Sequence, residues 1–253
     1  MNFILGIDVW EGNPNLDEAI LKAAGVQFLI IRLNDMNGEN HLDANFAAQW
    51  AQAQPFIHWP YYVYSPWYSG ETNFAWVAAH VPADATALMV DIEVRKDGYS
   101  PAEYSKQVGI FLALVTRRWK DMIYTGKWFE AVLATWPKNK EYVYARYPFI
   151  VYPDARQHWT WEKLKHVMYN MTWQPGSAPG PCRMWQITGD RLILPGCGET
   201  CVDVLAWNGT VETLAAFVGA PVPSPVDWEH SITTWARTVG YQGPEPDNSG
   251  VML

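Results

Sequence analysis

The sequence predicts an α/β fold in which a parallel sheet closes into a TIM-like barrel with helices outside. Three observations lead there. Short apolar runs alternate with capped helical segments from residue 3 to about 145, the rhythm of repeated right-handed βαβ units. The runs are aliphatic throughout, as in Phe28-Leu29-Ile30-Ile31, so their strands are covered on both faces. A chain of 253 residues is ample for one barrel-sized domain with its own core.

Taken in order, Phe3–Val9 reads as a first strand with Asp8 near its C-terminal end. Residues 15–25 read as a helix, with Asn15 as cap, early acids and a closing Gly25. Phe28–Arg32 is a second strand and Asp43–Ala53 a second helix, followed by strand Pro60–Tyr64, helix Glu71–His80 and strand Leu88–Glu93. Ser100 caps the helix Pro101–Trp119, with Pro101 in the first position and Glu103 reaching back in a capping box. Met122–Thr125 and Tyr142–Ala145 are further strands, with a helical turn over Trp128–Ala134 between them. Residues 148–182, rich in Pro, Trp and Tyr, read as a long excursion with one helical patch around Glu162–Tyr169. Arg183–Ile187 and Cys201–Leu205 follow as closing strands with no helix between them, and Thr210–Val218 as a last helix, so the barrel ends irregularly. Residues 1–220 form the barrel domain. Residues 221–253 form a Pro-rich linker, Pro221–Pro225, and a tail with an amphipathic helix over Asp227–Val239.

Composition excludes several function classes. A formal charge of −8 with only 18 Lys and Arg argues against nucleic acid or an anionic membrane as partner. No apolar run approaches the roughly 18–20 residues of a membrane span. The start, Met1-Asn2-Phe3-Ile4-Leu5-Gly6, lacks the charged region and cleavage site of a signal peptide, so synthesis in the cytoplasm and release by other means are expected. Cys182, Cys197 and Cys201 leave two alternatives open: one bridge stapling the loop around 188–200, or three free thiols. No metal site is expected, because His158 and His166 stand in no ligand-like spacing to them, and no cofactor is expected. The 15 Trp and 13 Tyr exceed ordinary core needs and hint at a groove that stacks sugar rings.

The chemistry centres on Ala87-Leu88-Met89-Val90-Asp91-Ile92-Glu93-Val94. Side chains alternate along a strand, so Asp91 and Glu93 point to one side with Cα atoms roughly 6.5 Å apart. Adjacent carboxylates in a poorly solvated place raise the pKa of at least one of them, which suits acid-assisted bond cleavage. The alternative is a strand end whose acids are merely solvated. Barrel enzymes place their chemistry at the C-terminal ends of the strands, and Asp8, Asp91 and Glu93 all fall at such ends.

Several motifs in order resemble glycoside hydrolase family 25, the Chalaropsis-type muramidases that include many phage endolysins. They are Gly6-Ile7-Asp8-Val9, Ala23-Ala24-Gly25-Val26-Gln27-Phe28-Leu29-Ile30-Ile31-Arg32, Tyr61-Tyr62-Val63-Tyr64, Asp91-Ile92-Glu93, Ile123-Tyr124-Thr125, Tyr144-Ala145-Arg146-Tyr147, Trp185-Gln186, and Val202-Asp203-Val204 before Asn208-Gly209-Thr210. The resemblance covers roughly residues 3–219. It implies five β/α units completed by three strands, and cleavage of the β-1,4 bond between N-acetylmuramic acid and N-acetylglucosamine in peptidoglycan. By motif, Glu93 matches the general acid, Asp91 the neighbouring carboxylate, Asp8 the acid of the first strand and Asp203 that of the last. Tyr62, Tyr64, Tyr124 and Trp185 match positions near the sugar groove. Direct attack by a carboxylate and attack by the substrate's own acetamido group both stay open. Trp10 and Trp207 depart from the family pattern and bear on substrate fit.

Two other readings stand beside the hydrolase. One is a structural or wall-docking component of a virion or injection device, attached through residues 221–253, where Trp228, Ile232 and Trp235 recur at helical spacing. The other is a chitinase-like barrel, which fits less well, because apolar residues precede Asp91 where such enzymes carry further aspartates.

Overall fold

The computed structural model describes residues 3–35, 39–147, 161, 164–166, 172–173, 175–189, 192–198 and 201–222. The tail helix expected over Asp227–Val239 and most of the Glu162–Tyr169 patch lie outside the described residues. The strands are β1 (Ile4–Val9), β2 (Phe28–Arg32), β3 (Ile57–Val63), β4 (Ala87–Asp91), β5 (Lys120–Gly126), β6 (Glu141–Ala145), β7 (Cys182–Gln186), β8 (Leu192–Ile193) and β9 (Cys201–Trp207). The helices are α1 (Glu18–Ala24), α2 (Phe46–Gln52), α3 (Gly70–His80), α4 (Pro101–Val115) and α5 (Val211–Val218). Between β5 and β6 the chain makes only a 3₁₀ turn at Glu130–Val132, shorter than the helix expected there.

β1 through β7 pair in parallel, each with the next. β9 then closes the ring, antiparallel to both β7 and β1. The result is a mixed eight-stranded barrel, with β8 outside the ring as an antiparallel partner of β9. The parallel expectation holds for seven strands and fails for the last. β9 follows β7 without a crossover helix, and a strand that returns directly runs the other way.

Because both faces are buried, each strand divides its side chains between two apolar layers. Phe28, Ile30, Trp59, Tyr61, Met89, Met122, Tyr124, Val143, Met184 and Leu205 fill the barrel. Ile7, Leu29, Ile31, Tyr62, Tyr64, Val90, Ile123 and Trp185 belong to the outer layer shared with helices α1 to α4. Leu214, Ala215 and Val218 of α5 join the inner cluster, so α5 plugs the end where the parallel strands begin. Trp207 sits at that same end: it pairs with Ile4 and Met184, packs on Phe217 at 5.1 Å, and donates from Nε1 to Thr213 Oγ1. It is a floor residue, remote from the rim where substrate fit would be decided.

Local chemistry sets the helix ends. Asp17, not Asn15, caps α1 by accepting from the Ile20 amide at 3.0 Å, and Gly25 ends the helix in the left-handed region. Ser100 caps α4 through the Glu103 amide, but the Glu103 carboxylate bonds Gln107 and Lys106 instead of completing a capping box. Thr210 and Thr213 form a reciprocal box at α5. α2 starts at Phe46, three residues later than expected, because Asp43 is engaged under Arg32.

α3 and α4 meet closely at Gly70, whose amide donates to Gln107 Oε1. A Cβ there would stand 2.5 Å from the Gln107 carbonyl oxygen and 2.9 Å from both Ile110 Cβ and the Phe111 nitrogen. Backbone atoms cannot step aside as a flexible side chain would. Gly70→Ala is expected to push the two helices apart and cost about 1–3 kcal/mol, read as a lower chemical-denaturation midpoint with an unchanged slope.

Candidate active site

Strand alternation decides which side chains reach the barrel mouth. Asp91 is in phase with the interior residues Ala87 and Met89, Arg32 with Phe28 and Ile30, and Gln186 with Met184. Asp203 is in phase with Leu205 and Trp207 on β9, and Asp8 stands directly across from it in the β1–β9 register. Since β9 runs against the others, its third residue lies at the rim where β1 and β4 end. Glu93 follows β4 in the same phase as Asp91 and is half-buried.

These acids sense one another. Asp91 is buried, and its carboxyl is held well above the usual range, first by desolvation and then by the negative charges of Glu93, Asp8 and Asp203. Arg32 opposes this shift and does not cancel it. One Asp91 oxygen, Oδ1, is buried without a hydrogen-bond partner, which further disfavours the ionised form. The direction of the shift at Asp91 is the one the sequence leads to expect of adjacent acids in a poorly solvated place.

Arg32 is a buried cation at the mouth. Its Nε donates to Asp43 Oδ2 at 2.8 Å, its Nη2 lies 3.4 Å from Glu11 Oε1, and its guanidinium stacks 5.1 Å from the Trp10 ring. Asp43 also accepts from the Glu11 and Asn45 amides, tying the loop after β1 to the approach to α2. Trp10 therefore has a defined task at the rim as a lid on Arg32.

Two aromatic hydroxyls complete the mouth. Tyr61 is buried inside, and desolvation together with Asp8, Asp91 and Asp203 raises its pKa. Tyr124 is held up by burial and by Glu93 above the other charges, and its hydroxyl donates to Gln186 Oε1 at 2.5 Å. Gln186 Nε2 in turn donates to Asp203 Oδ2 at 2.5 Å.

The structure thus brings Asp8, Asp91, Glu93, Asp203 and Tyr124 together and places Tyr62, Tyr64 and Trp185 elsewhere. Tyr62 is wholly buried on the helix side, its hydroxyl between Asn40 Oδ1 and Asn73 Oδ1. Tyr64 is packed between Tyr104 and Phe111, and Trp185 donates from Nε1 to the Arg146 carbonyl and meets Trp173 edge-on. These three form the wall behind the mouth. Sequence reasoning did not single out Tyr61, Arg32, Asp43 or Gln186. Gln186 carried a readable signal, as a polar amide in an apolar strand that requires a partner. Exposed Trp67 and Tyr68 after β3, and Trp128 after β5, stand on the rim to either side of β4. No disulfide joins Cys182, Cys197 and Cys201, and burial pushes the Cys197 thiol up to about 12.

The family model for glycosyl hydrolases family 25 matches residues 7–174. The chain belongs to glycosyl hydrolase family 25. It is a glycoside hydrolase of the lysozyme and muramidase group, and four of the converging acids lie on the family-like motifs. Similar folds include the bacterial lysozyme of Streptomyces coelicolor (18% identity, TM-score 0.65, covering 85% of this chain and 96% of that one). A family 25 lysozyme from Aspergillus fumigatus is similar at 17% identity and TM-score 0.64, over 85% of this chain and 99% of that one. The catalytic domain of an endolysin from a Listeria monocytogenes bacteriophage is similar at 16% identity and TM-score 0.54, over 87% and 98%. No curated protein sequence matches. No helix among the described residues is long and apolar enough to cross a membrane.

Two buried carboxylates of this hydrolase predict opposite outcomes. Asp43→Ala leaves the Arg32 guanidinium without its buried partner and is expected to destabilise the fold by about 3–5 kcal/mol in denaturant titrations. Asp91 behaves otherwise: an unfolded Asp ionises above about pH 4, while the folded one keeps its proton to higher pH. Across that window the unfolded chain binds fewer protons, so stability falls as pH rises. Asp91→Asn is expected to melt higher than wild type, by a margin that grows from about pH 4 toward neutrality, each kcal/mol gained raising Tm by about 2–4 °C.

Proposed function

We propose that this family 25 hydrolase is an N-acetylmuramidase that cuts the β-1,4 bond between N-acetylmuramic acid and N-acetylglucosamine in peptidoglycan, acting as a phage or phage-like lysin. The observation that carries the reading is the convergence of four carboxylates from β1, β4 with the residue just beyond it, and β9 on one rim, beside the buried Arg32 guanidinium, which is already paired with Asp43. Such a mouth is net negative. Glycosidic cleavage develops positive charge at the anomeric carbon and demands a proton at the leaving oxygen, and this arrangement supplies both needs.

In this reading Glu93 is the general acid. It is the more accessible of the β4 pair, while Asp91 beneath it is buried, its carboxyl held above the usual range by desolvation and by its acidic neighbours. As charge develops on the sugar, Asp91, Asp8 and Asp203 stabilise it. Tyr124 lines the same mouth, while Tyr62, Tyr64 and Trp185 act from behind by fixing the wall. The lysozymes and endolysin of similar fold agree with a cell-wall substrate.

A second reading keeps the barrel and makes it part of a virion or injection device that docks through residues 221–253. Its motive is the Trp228, Ile232 and Trp235 spacing. A tail-mounted enzyme satisfies both readings.

Digested walls analysed by mass spectrometry should yield muropeptides with muramic acid at the reducing end; glucosamine ends would reassign the bond. Glu93→Gln is expected to lower lysis by roughly 10²-fold or more with an unchanged melting temperature. Near wild-type lysis by that variant would remove Glu93 from the role of acid.

A further inference from the structure

The inner face of β7 carries a polar side chain that the acid chemistry does not call for. Gln186 is almost wholly buried and bridges β5 to β9, accepting from the Tyr124 hydroxyl at Oε1 and donating from Nε2 to Asp203 Oδ2, both at 2.5 Å. An amide has two unlike ends, and its neighbours determine which end faces which. The Gln186 nitrogen faces Asp203, whose carboxylate oxygen accepts from it. Oε1 then faces Tyr124, and an amide oxygen only accepts, so Tyr124 must spend its one proton there. What the Tyr124 oxygen offers the mouth is therefore lone pairs alone.

We propose that Gln186 is a positioning residue that sets the direction of this two-bond wire, locking the Asp203 carboxylate and making the Tyr124 hydroxyl a pure acceptor toward the bound sugar. The group it recognises there is a hydrogen-bond donor: an acetamido N–H or a sugar hydroxyl. This deepens the hydrolase reading and rests on it. The wire also joins β5, β7 and β9 across the part of the ring where pairing turns from parallel to antiparallel, so the two functional groups keep their spacing where the sheet is least regular.

The test uses the full chain and an isosteric pair. In Gln186→Glu, a protonated carboxyl reproduces both bonds, with its carbonyl oxygen accepting from Tyr124 and its O–H donating to Asp203. Once ionised it has nothing to donate and sets a second negative charge against Asp203. The other ionisable groups acting on this corner are Asp91, Glu93 and Tyr147 on Tyr124, with Asp8 across from Asp203 and Arg32 and Tyr61 nearby. All are retained in the variant, so its difference from wild type isolates position 186. On a soluble peptidoglycan fragment, Gln186→Glu should match the wild-type kcat at the acidic end and fall roughly tenfold or more below it at neutral pH, with KM little changed. Gln186→Met, which fills the space but makes neither bond, should lose roughly tenfold at every pH. The melting temperature of Gln186→Glu should track wild type in acid and drop below it as pH rises. Either variant keeping the wild-type kcat at neutral pH overturns the proposal. A wild type that leaves peptidoglycan intact defeats the hydrolase reading instead, and the melting series then judges the wire: parallel curves for Gln186→Glu and wild type across pH overturn it.

Discussion

The antiparallel entry of β9 between β7 and β1 is the constraint on which the rest of this structure depends. Seven parallel strands leave two unpaired edges, and β9 satisfies both at once, so no edge of the ring is left open to solvent or to another chain. The direction of this strand has a chemical consequence. A parallel eighth strand would bring its C-terminal end to the rim, whereas β9 brings its beginning there, and with it Asp203 opposite Asp8. Two like charges facing each other across a pair of strands weaken that pair. The fold accepts this at the one ladder that also closes the barrel.

That repulsion is managed by unequal treatment of the acids. Asp43 is matched to Arg32 and to two backbone amides, so its hydrogen-bonding needs are met. Asp203 is held by the Gln186 amide. Asp91 has an orphaned oxygen and three acidic neighbours, and its raised pKa is where the group's repulsion is relieved. Sites that carry function are commonly less stable than they need to be, and the melting behaviour expected of an Asp91 variant expresses that trade.

Much of the scaffold was legible in the sequence because burial on both faces writes a strand as an unbroken apolar run. Phe28–Arg32 was read to the residue, and the order of elements through β6 holds. The acids were legible too, since a carboxylate at the end of such a run has few structural excuses. The aromatics were not. In Tyr61-Tyr62-Val63-Tyr64 both faces are apolar, so nothing in the pattern says which phase looks inward, and the inward residue is Tyr61. The same ambiguity favoured Trp185 over Gln186 on β7. Asp43 was misplaced for a different reason: as a residue favoured near helix starts it fits a cap, and only the long-range approach of Arg32 reveals its partner. The direction of β9 follows from how neighbouring strands connect, a matter of three-dimensional return that no local pattern records.

The plug formed by α5 gives the barrel a blind end. Leu214, Ala215 and Val218 seal the cup from below, and Trp207 with Phe217 reinforces the seal. A polymer has no tunnel to thread through such a vessel. Access to the acids is from the brim, where Trp67 and Tyr68 stand exposed after β3 and Trp128 after β5.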